Sequence, residues 1–433
     1  MSITTALYTG ISGLQSMGNS LQVTGHNIAN VNTVGFKSSR AEFSDLLSQT
    51  INVGGQTAQL GRGVQLESVA RSFAQGSFMN TDSVTDMAIN GRGFFILSDG
   101  IQSYYTRAGN FHTNSAGNLV NPDGLGLQGF LFDATGAPTG ARGTINLSNL
   151  TTPPKATGDG TVAGSGVIVS ANLSADAAAM TFDVADPLNT SDYSTSLTVY
   201  DSLGSAHNII VYFNKTADNA WDWHALVDGG EIVGGTAGTP VECASGSLAF
   251  NSSGALQTET TTSSSFSFTG GAAASQVIGF DFGDSIDDGG IGLGATTQFA
   301  GNFVTNYLTQ DGFSTGNLQA ISVDRDGMVT GIFTNGRRQI VAQLALANFQ
   351  NEGGLFATGS NLFMDTVESG QPTISAPNVG AVGEINGNTL ELSNVDLANE
   401  FVAMITNQRA FQANSRTITT GNEMLQEVVN LVR

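Results

Sequence analysis

Cysteine is almost absent. One residue, Cys243, stands alone in 433, so no internal disulfide can form. Its expected place is as a small, half-buried apolar residue. Charge is scarce too, at 12% of residues against about a quarter in ordinary domains. The charge present is lopsided, with a formal net value of −21. Nucleic acid is a poor partner for such a chain, because phosphate contacts need clustered Lys and Arg. An acidic membrane surface is disfavoured for the same reason. Four histidines (His26, His112, His207 and His224) include no metal-spaced pair, and no nucleophile elbow or local Cys–His arrangement occurs. No catalytic residue, metal or cofactor is expected. Long apolar runs are missing as well. Residues 1–36 hold no Asp, Glu, Lys or Arg, yet polar residues and glycine interrupt them throughout. That pattern is neither a membrane-spanning helix nor a cleavable secretory signal, which needs a basic start and a continuous apolar stretch. Export, if it occurs, uses a route that does not need one.

Two local patterns resemble binding sites and fail on context. Gly124-Leu125-Gly126-Leu127-Gln128-Gly129 has the dinucleotide spacing. A turn precedes it and the strand-like Phe130-Leu131-Phe132 follows, so no helix opens to receive a phosphate. Asp281, Asp284, Asp287 and Asp288 form an acidic run beside Gly289 whose spacing does not fit a calcium loop. A solvated acidic turn is the plainer reading.

The chain does hold 40% apolar residues, enough to build cores, and 55 glycines. Turn chemistry dominates its interior: Asn90-Gly91, Asp123-Gly124, Asp228-Gly229, Asp326-Gly327, Asn335-Gly336 and Asn386-Gly387 read as hairpin signals. Strand-like runs lie between them, at 93–97, 196–200, 209–213 and 339–346. Connections this short predict antiparallel, barrel-like sheets. Residues 151–300 are richer in Ser, Thr, Gly and Asp. Their two cations, Lys155 and Lys215, face sixteen Asp and Glu, giving −14 and leaving −7 for the remainder.

Both ends read as helices. Leu7, Leu14, Leu21 and Ile28 fall seven apart, with Ile3, Ile11 and Met17 beside that row. Leu397, Met404, Phe411, Ile418, Leu425 and Val432 repeat the interval at the other end, flanked by Phe401 and Val429. These are heptad stripes. Ser393 or Asn394 can cap the second helix, with Asp396 in its first turn. A stripe must bury itself, either in an intramolecular helical hairpin or against other copies. Local stability favours other copies. Gly10, Gly13, Gly18 and Gly25 together cost the first helix roughly 4 kcal/mol relative to alanine. The second carries Thr417-Ile418-Thr419-Thr420 before Gly421. Residues 1–30 and 394–433 are therefore expected to be disordered in the monomer and helical when packed.

After the first stripe comes His26-Asn27-Ile28-Ala29-Asn30-Val31-Asn32-Thr33-Val34-Gly35-Phe36-Lys37. It resembles the signature of the flagellar rod and hook axial-protein family, at Asn27, Ala29, Asn30, Thr33, Gly35, Phe36 and Lys37. Ser393 to Leu397 and Asn407-Gln408-Arg409-Ala410-Phe411-Gln412 resemble that family's other end. Tyr105 to Phe111 and Asn118 to Asn121 resemble its intermediate β-domain. Rod members lack a large central insertion, whereas Thr198 to Gly204 resembles the outer domain of hook members. The resemblance implies a multidomain α+β subunit with a coiled-coil inner domain from both termini (1–33 with 393–433). A hinge or linker (34–74), a mainly-β middle domain (75–150 with 301–392) and an outer β-domain (151–300) complete it. It further implies a non-enzymatic homopolymer forming a curved tube, exported through the flagellar type III apparatus. The implied partners are other copies, a distal rod protein, a hook cap and hook-filament junction proteins, with no membrane insertion. A distal rod subunit is the alternative within the family. A secreted β-rich adhesin, or less readily a glycan-active enzyme, is the alternative outside it. The signature's asparagines can end a helix, and Gly35 permits unusual backbone. The segment therefore reads as a hinge between helix and β-domain.

Overall fold

A computed structural model describes residues 3–53, 56–133, 136–148 and 150–431. The fold is mainly β, with one long helix near each end: α1 (Ile3–Ala29) and α2 (Leu397–Leu431). Two compact units result. The first comprises residues 1–150, 319–332 and 338–433; the second comprises 151–318 and 333–337.

In the first unit the two helices pack together antiparallel. Leu7 meets Gly421, Gly10 meets Ile418, and Gly13 meets Asn414. Further along, Asn407 Nδ2 donates to Ser20 Oγ (2.8 Å) and Asn27 Nδ2 to Glu400 Oε1 (2.8 Å). The intramolecular hairpin, one of the two arrangements open to the stripes, is thus present in the single chain. Glycine explains it. A Cβ on Gly10 would lie 2.9 Å from the Ile418 side chain, and one on Gly13 2.7 Å from Asn414. Two of the glycines that weaken α1 therefore let α2 approach closely. Gly18 and Gly25 face open space. Asp396, expected in the first turn of α2, instead sits just before it and caps it, its Oδ1 accepting from the Ala398 N–H (2.9 Å). Ser393 and Asn394 lie too far upstream for that role.

Residues 34–74, read as hinge or linker, carry strands. Ser39–Asp45 pairs with Val64–Arg71, and Gln49–Val53 with Gln56–Leu60, all antiparallel. The β-domain of this unit interleaves two passes of the chain. Phe94–Ser98 pairs with Ser103–Thr106 and with Leu346–Asn348, and Gly126–Phe132 pairs with Arg338–Leu344. Met87–Asn90 pairs with Glu384–Gly387, and Phe78–Asn80 with Thr389–Glu391. Phe94, Ile96, Tyr105, Phe349 and Phe363 form its core, the rings meeting edge to face. Asn386-Gly387 is strand rather than turn; the turn falls on Asn388, whose φ is 54°. Asn90-Gly91 links two strands that pair with other partners, so it closes no hairpin.

The second unit is built on a five-stranded antiparallel meander: Tyr193–Tyr200, Ala206–Ala217, Ala220–Asp228, Pro240–Phe250 and Leu256–Ser264. Alternation orients it, with His207, Ile209, Val211 and Phe213 turned inward along one strand. A second sheet, of Phe280–Asp281, Val167–Asn172 and Val304–Gln310, shares its core around Trp221, Trp223, Phe213, Phe266 and Phe282. Two sheets thus enclose one core. One ladder is parallel, Val167↔Phe280 and Ile168↔Asp281, against the antiparallel expectation. The excursion of more than a hundred residues between those strands provides the crossover that a tight turn cannot. Because Val304–Gln310 completes this sheet, the unit runs past 300 to 318. Both cations of the insertion are used internally. Lys155 Nζ pairs with Asp311 (2.7 Å), and buried Lys215 Nζ donates to the carbonyls of Ala175 (2.7 Å) and Ala177 (3.1 Å). Cys243 lies in the core, where burial pushes its thiol up to about 11.

Glu259 is half-buried on the last strand of the meander, and its Oε2 accepts from the Phe282 N–H (2.9 Å). Burial, together with Asp281, Asp288 and Asp284, raises its carboxyl to about 7. A carboxyl raised in the folded state binds its proton more tightly there than when unfolded. The second unit should therefore lose stability as pH rises from about 4.5 to about 7. Both tryptophans of the chain lie in this unit. Their fluorescence during denaturant unfolding should show the midpoint falling over that range, and Glu259→Gln should flatten the fall.

Candidate assembly site

The heptad rows divide into an inner seam and an outer face. Leu7, Leu14, Leu21 and Ile28 of α1 are half-buried, as are Met404, Ile418 and Leu425 of α2. Leu397 and Phe411 belong to the same row by number but are 40% and 41% exposed. Val432 lies outside the described residues. Outside the row, α2 presents Phe401 (49% exposed), Val402 (64%), Ile405 (51%) and Val429 (63%) to solvent. The second helix thus keeps an apolar face that the single chain does not cover. Row counting cannot separate the seam from this face, because 3.6 residues per turn carries a seven-residue row slowly around the helix.

The signature residues lie where α1, the β-domain and the approach to α2 converge. Asn27 is 1% exposed and joins three segments. Its Nδ2 donates to the Ser39 carbonyl (2.7 Å) and to Glu400 Oε1 (2.8 Å), and its Oδ1 accepts from the Ser39 N–H (2.9 Å). Ala29 is the exposed last residue of α1. Asn30 ends the helix as expected: its Nδ2 donates to the His26 carbonyl (2.9 Å), and its Oδ1 accepts from Thr33 Oγ1 (3.0 Å). Gly35 has φ +68°, and a Cβ there would sit 2.6 Å from the Ala108 nitrogen. Phe36 is buried, edge-on to the His26 ring at 5.5 Å.

Lys37 is the centre of this arrangement. Its ammonium is buried, donating to Glu391 Oε1 (2.7 Å) and to the Ala74 carbonyl (2.8 Å). Glu391, fully buried, also accepts from the Gly76 N–H (2.8 Å) and lies 3.5 Å from the guanidinium of buried Arg107. Arg107 donates in turn to the carbonyls of Gly91 (2.7 Å) and Ile89 (3.4 Å) and rests over the Phe94 ring. Burial pushes the Lys37 ammonium down, with Glu391 pulling the other way. Arg107 is lowered by burial as well. The Gly35 N–H donates to the Glu391 carbonyl (2.8 Å), and Asn394 Oδ1 accepts from the Ser38 N–H (2.7 Å). In this conformation the segment is a closed knot of buried bonds. Lys37 was legible as part of the signature. Its partner Glu391 lies more than 350 residues away and belongs to no local motif. The one clue was that residues 1–36 carry no charge, so that Lys37 must find its carboxylate elsewhere.

Among the described residues no group of three His, Cys, Asp or Glu could hold a metal ion. The acidic run is occupied locally. Asp287 accepts from Gln257 Nε2 and Thr258 Oγ1 (both 2.6 Å), and Asp288 from Ser285 Oγ (2.7 Å). No helix among those residues is long and apolar enough to cross a membrane.

Known proteins match this chain along its whole length. The "Flagellar hook protein FlgE" of Borreliella burgdorferi is 33% identical over 98% of this chain and 99% of its own. The chain belongs to the flagellar hook protein family. The protein of that name from Salmonella typhimurium is 33% identical, covering 97% of this chain and 98% of its own. Four family models match in order: flagella basal body rod protein at 7–37, flagellar hook protein FlgE/F/G D1 domain at 88–170, flagellar basal body protein FlaE D2 domain at 169–313, and flagellar basal body rod FlgEFG protein C-terminal at 387–431. The crystal structure of Helicobacter pylori flagellar hook protein FlgE2 covers 72% of this chain and all of its own, at 15% identity and TM-score 0.48.

Replacing Glu391 by Gln leaves two buried cations without their carboxylate. Breaking a buried ion pair from one side costs about 3–5 kcal/mol. Glu391→Gln should lower the stability of the first unit by about that amount in denaturant unfolding followed by helical circular dichroism. Lys37→Met should cost less, since Arg107 remains beside Glu391.

Proposed function

We propose that this chain is the structural, non-catalytic subunit of a flagellar hook. Copies polymerise into a curved, flexible tube that passes torque from rod to filament and encloses an export channel. Full-length similarity to hook proteins supports this reading, and the bare apolar face of α2 is the observation that carries it. A monomer gains nothing from holding Phe401, Val402 and Ile405 in water, whereas a homopolymer buries them in each copy. In this reading the helices of neighbouring copies meet as coiled coils around the channel. Leu7, Leu14, Leu21, Ile28, Leu397, Met404, Phe411, Ile418, Leu425 and Val432 serve assembly there. Residues 75–150 with 319–332 and 338–392 form the middle domain, and 151–318 with 333–337 the outer one. The signature, Asn27 to Lys37, fixes the inner layer to the middle layer. The subunit leaves the cell through the type III export apparatus without a cleaved signal. Its partners beyond itself are a distal rod protein, a hook cap and hook-filament junction proteins.

Electron microscopy of the polymerised chain tests this. Curved tubes are expected; straight tubes would place the chain with distal rod subunits, and no tubes would overturn the reading. Ile405→Asp and Phe411→Asp put a carboxylate on the outer face. Each should raise the critical concentration at least about a hundredfold, roughly 3 kcal/mol. Monomer stability should be nearly unchanged, because both sites are exposed in the single chain.

A further inference from the structure

Arg71 differs from the other cations described above. Lys37 and Arg107 share Glu391, Lys155 has Asp311, and Lys215 holds two carbonyls. The Arg71 guanidinium is half-buried at the end of the Val64–Arg71 strand, with its Cζ 5.1 Å above the centre of the Phe363 ring. That aromatic contact is its one described interaction. Burial alone lowers its pKa, with no carboxylate pulling the other way. This happens in a chain holding 36 Asp and Glu against 15 Lys and Arg.

Arg71 stands between a cleft of about 480 Å³, shared with Phe363, Lys37 and Asp123, and a second of about 600 Å³ between the helix pair and the Ser39–Asp45 and Val64–Arg71 ladder. Half of the residues lining the second cleft carry hydroxyls or amides, including Ser20, Thr24, Ser72 and Asn407. One carboxylate, Glu400, lines the cleft, and its Oε1 is taken by Asn27. Arg40 stands at the margin, 80% exposed and paired with Glu42. The cleft therefore offers hydrogen-bonding groups and one half-buried cation whose charge no carboxylate among the described residues answers.

We propose that this cleft receives an acidic segment of a second copy of the chain, and that Arg71 binds its carboxylate. The inference rests on the polymer proposed above and names a polar contact beside its apolar seam. Charge complementarity selects the occupant: a chain of net charge −21 presents carboxylates in excess on every neighbour. A guanidinium gives two parallel donors to a carboxylate, and its partial desolvation is already in place before the partner arrives.

The test compares Arg71→Gln and Arg71→Lys with the wild-type chain in polymerisation. Arg71→Gln should raise the critical concentration roughly tenfold or more and flatten its dependence on salt. Arg71→Lys, which keeps the charge but not the fork, should fall between. The thermal unfolding midpoint of the Arg71→Gln monomer should fall only slightly, since the substitution removes one aromatic contact and no described carboxylate partner. Wild-type polymerisation by Arg71→Gln would overturn the proposal while leaving the hook reading intact. A destabilised Arg71→Gln monomer that still assembles normally would reduce Arg71 to a stacking residue. Inorganic phosphate binding to wild type but not to Arg71→Gln, with assembly unchanged in both, would make the cleft a free-anion site and also overturn it. A wild-type chain that never polymerises fails the hook reading first, and this proposal with it.

Discussion

One buried carboxylate organises the first unit. Glu391 sits at the end of the last strand before α2, and the groups it binds come from the start of the chain: Gly35, Lys37, Gly76 and Arg107. Its desolvation is offset only while both cations and the backbone donor are in place. The approach to α2 is thus fixed against the exit from α1, which sets the antiparallel register of two helices too weak to stand alone. The close contacts of Gly10, Gly13 and Gly421 follow from that register. So does the outward turn of Phe401 and Ile405.

Charge is distributed on different principles in the two units. The first balances most of its acidic residues with Lys and Arg and buries several of these charges in bonds that cross hundreds of residues of sequence. The second carries most of the net negative charge, and its core is aromatic and aliphatic around two tryptophans. A unit held by packing tolerates an acidic surface, because exposed like charges at solvent distances are screened within about 10 Å.

The sequence carried its helices plainly, since a heptad row over four or more turns has few other readings. It carried the β character through turn dipeptides, and it carried the signature by family resemblance. Strand partners were beyond it. Met87–Asn90 pairs with Glu384–Gly387 across nearly 300 positions, and no local pattern marks such a pair. The glycines of α1 were read as a cost, which is correct for an isolated helix; their use against α2 depends on a partner that periodicity does not locate. Asp396 against Ser393 or Asn394 was a matter of three residues, the usual blur of a helix boundary. The knot was half legible: Lys37 announced itself, whereas Glu391 looked like any strand-end acid.

The internal use of Lys155 and Lys215 has a consequence for how the chain meets proteases that cut after basic residues. From Lys155 to Arg325 the sole basic residue is Lys215, and its ammonium is buried on two carbonyls. Such a protease finds half-exposed Lys155 at one margin of the acidic unit and Arg325 just past the other. Between them it meets some 170 residues of folded chain with no accessible cleavage site. Limited digestion would then release residues 156–325, the bulk of this unit, as one fragment still carrying both tryptophans.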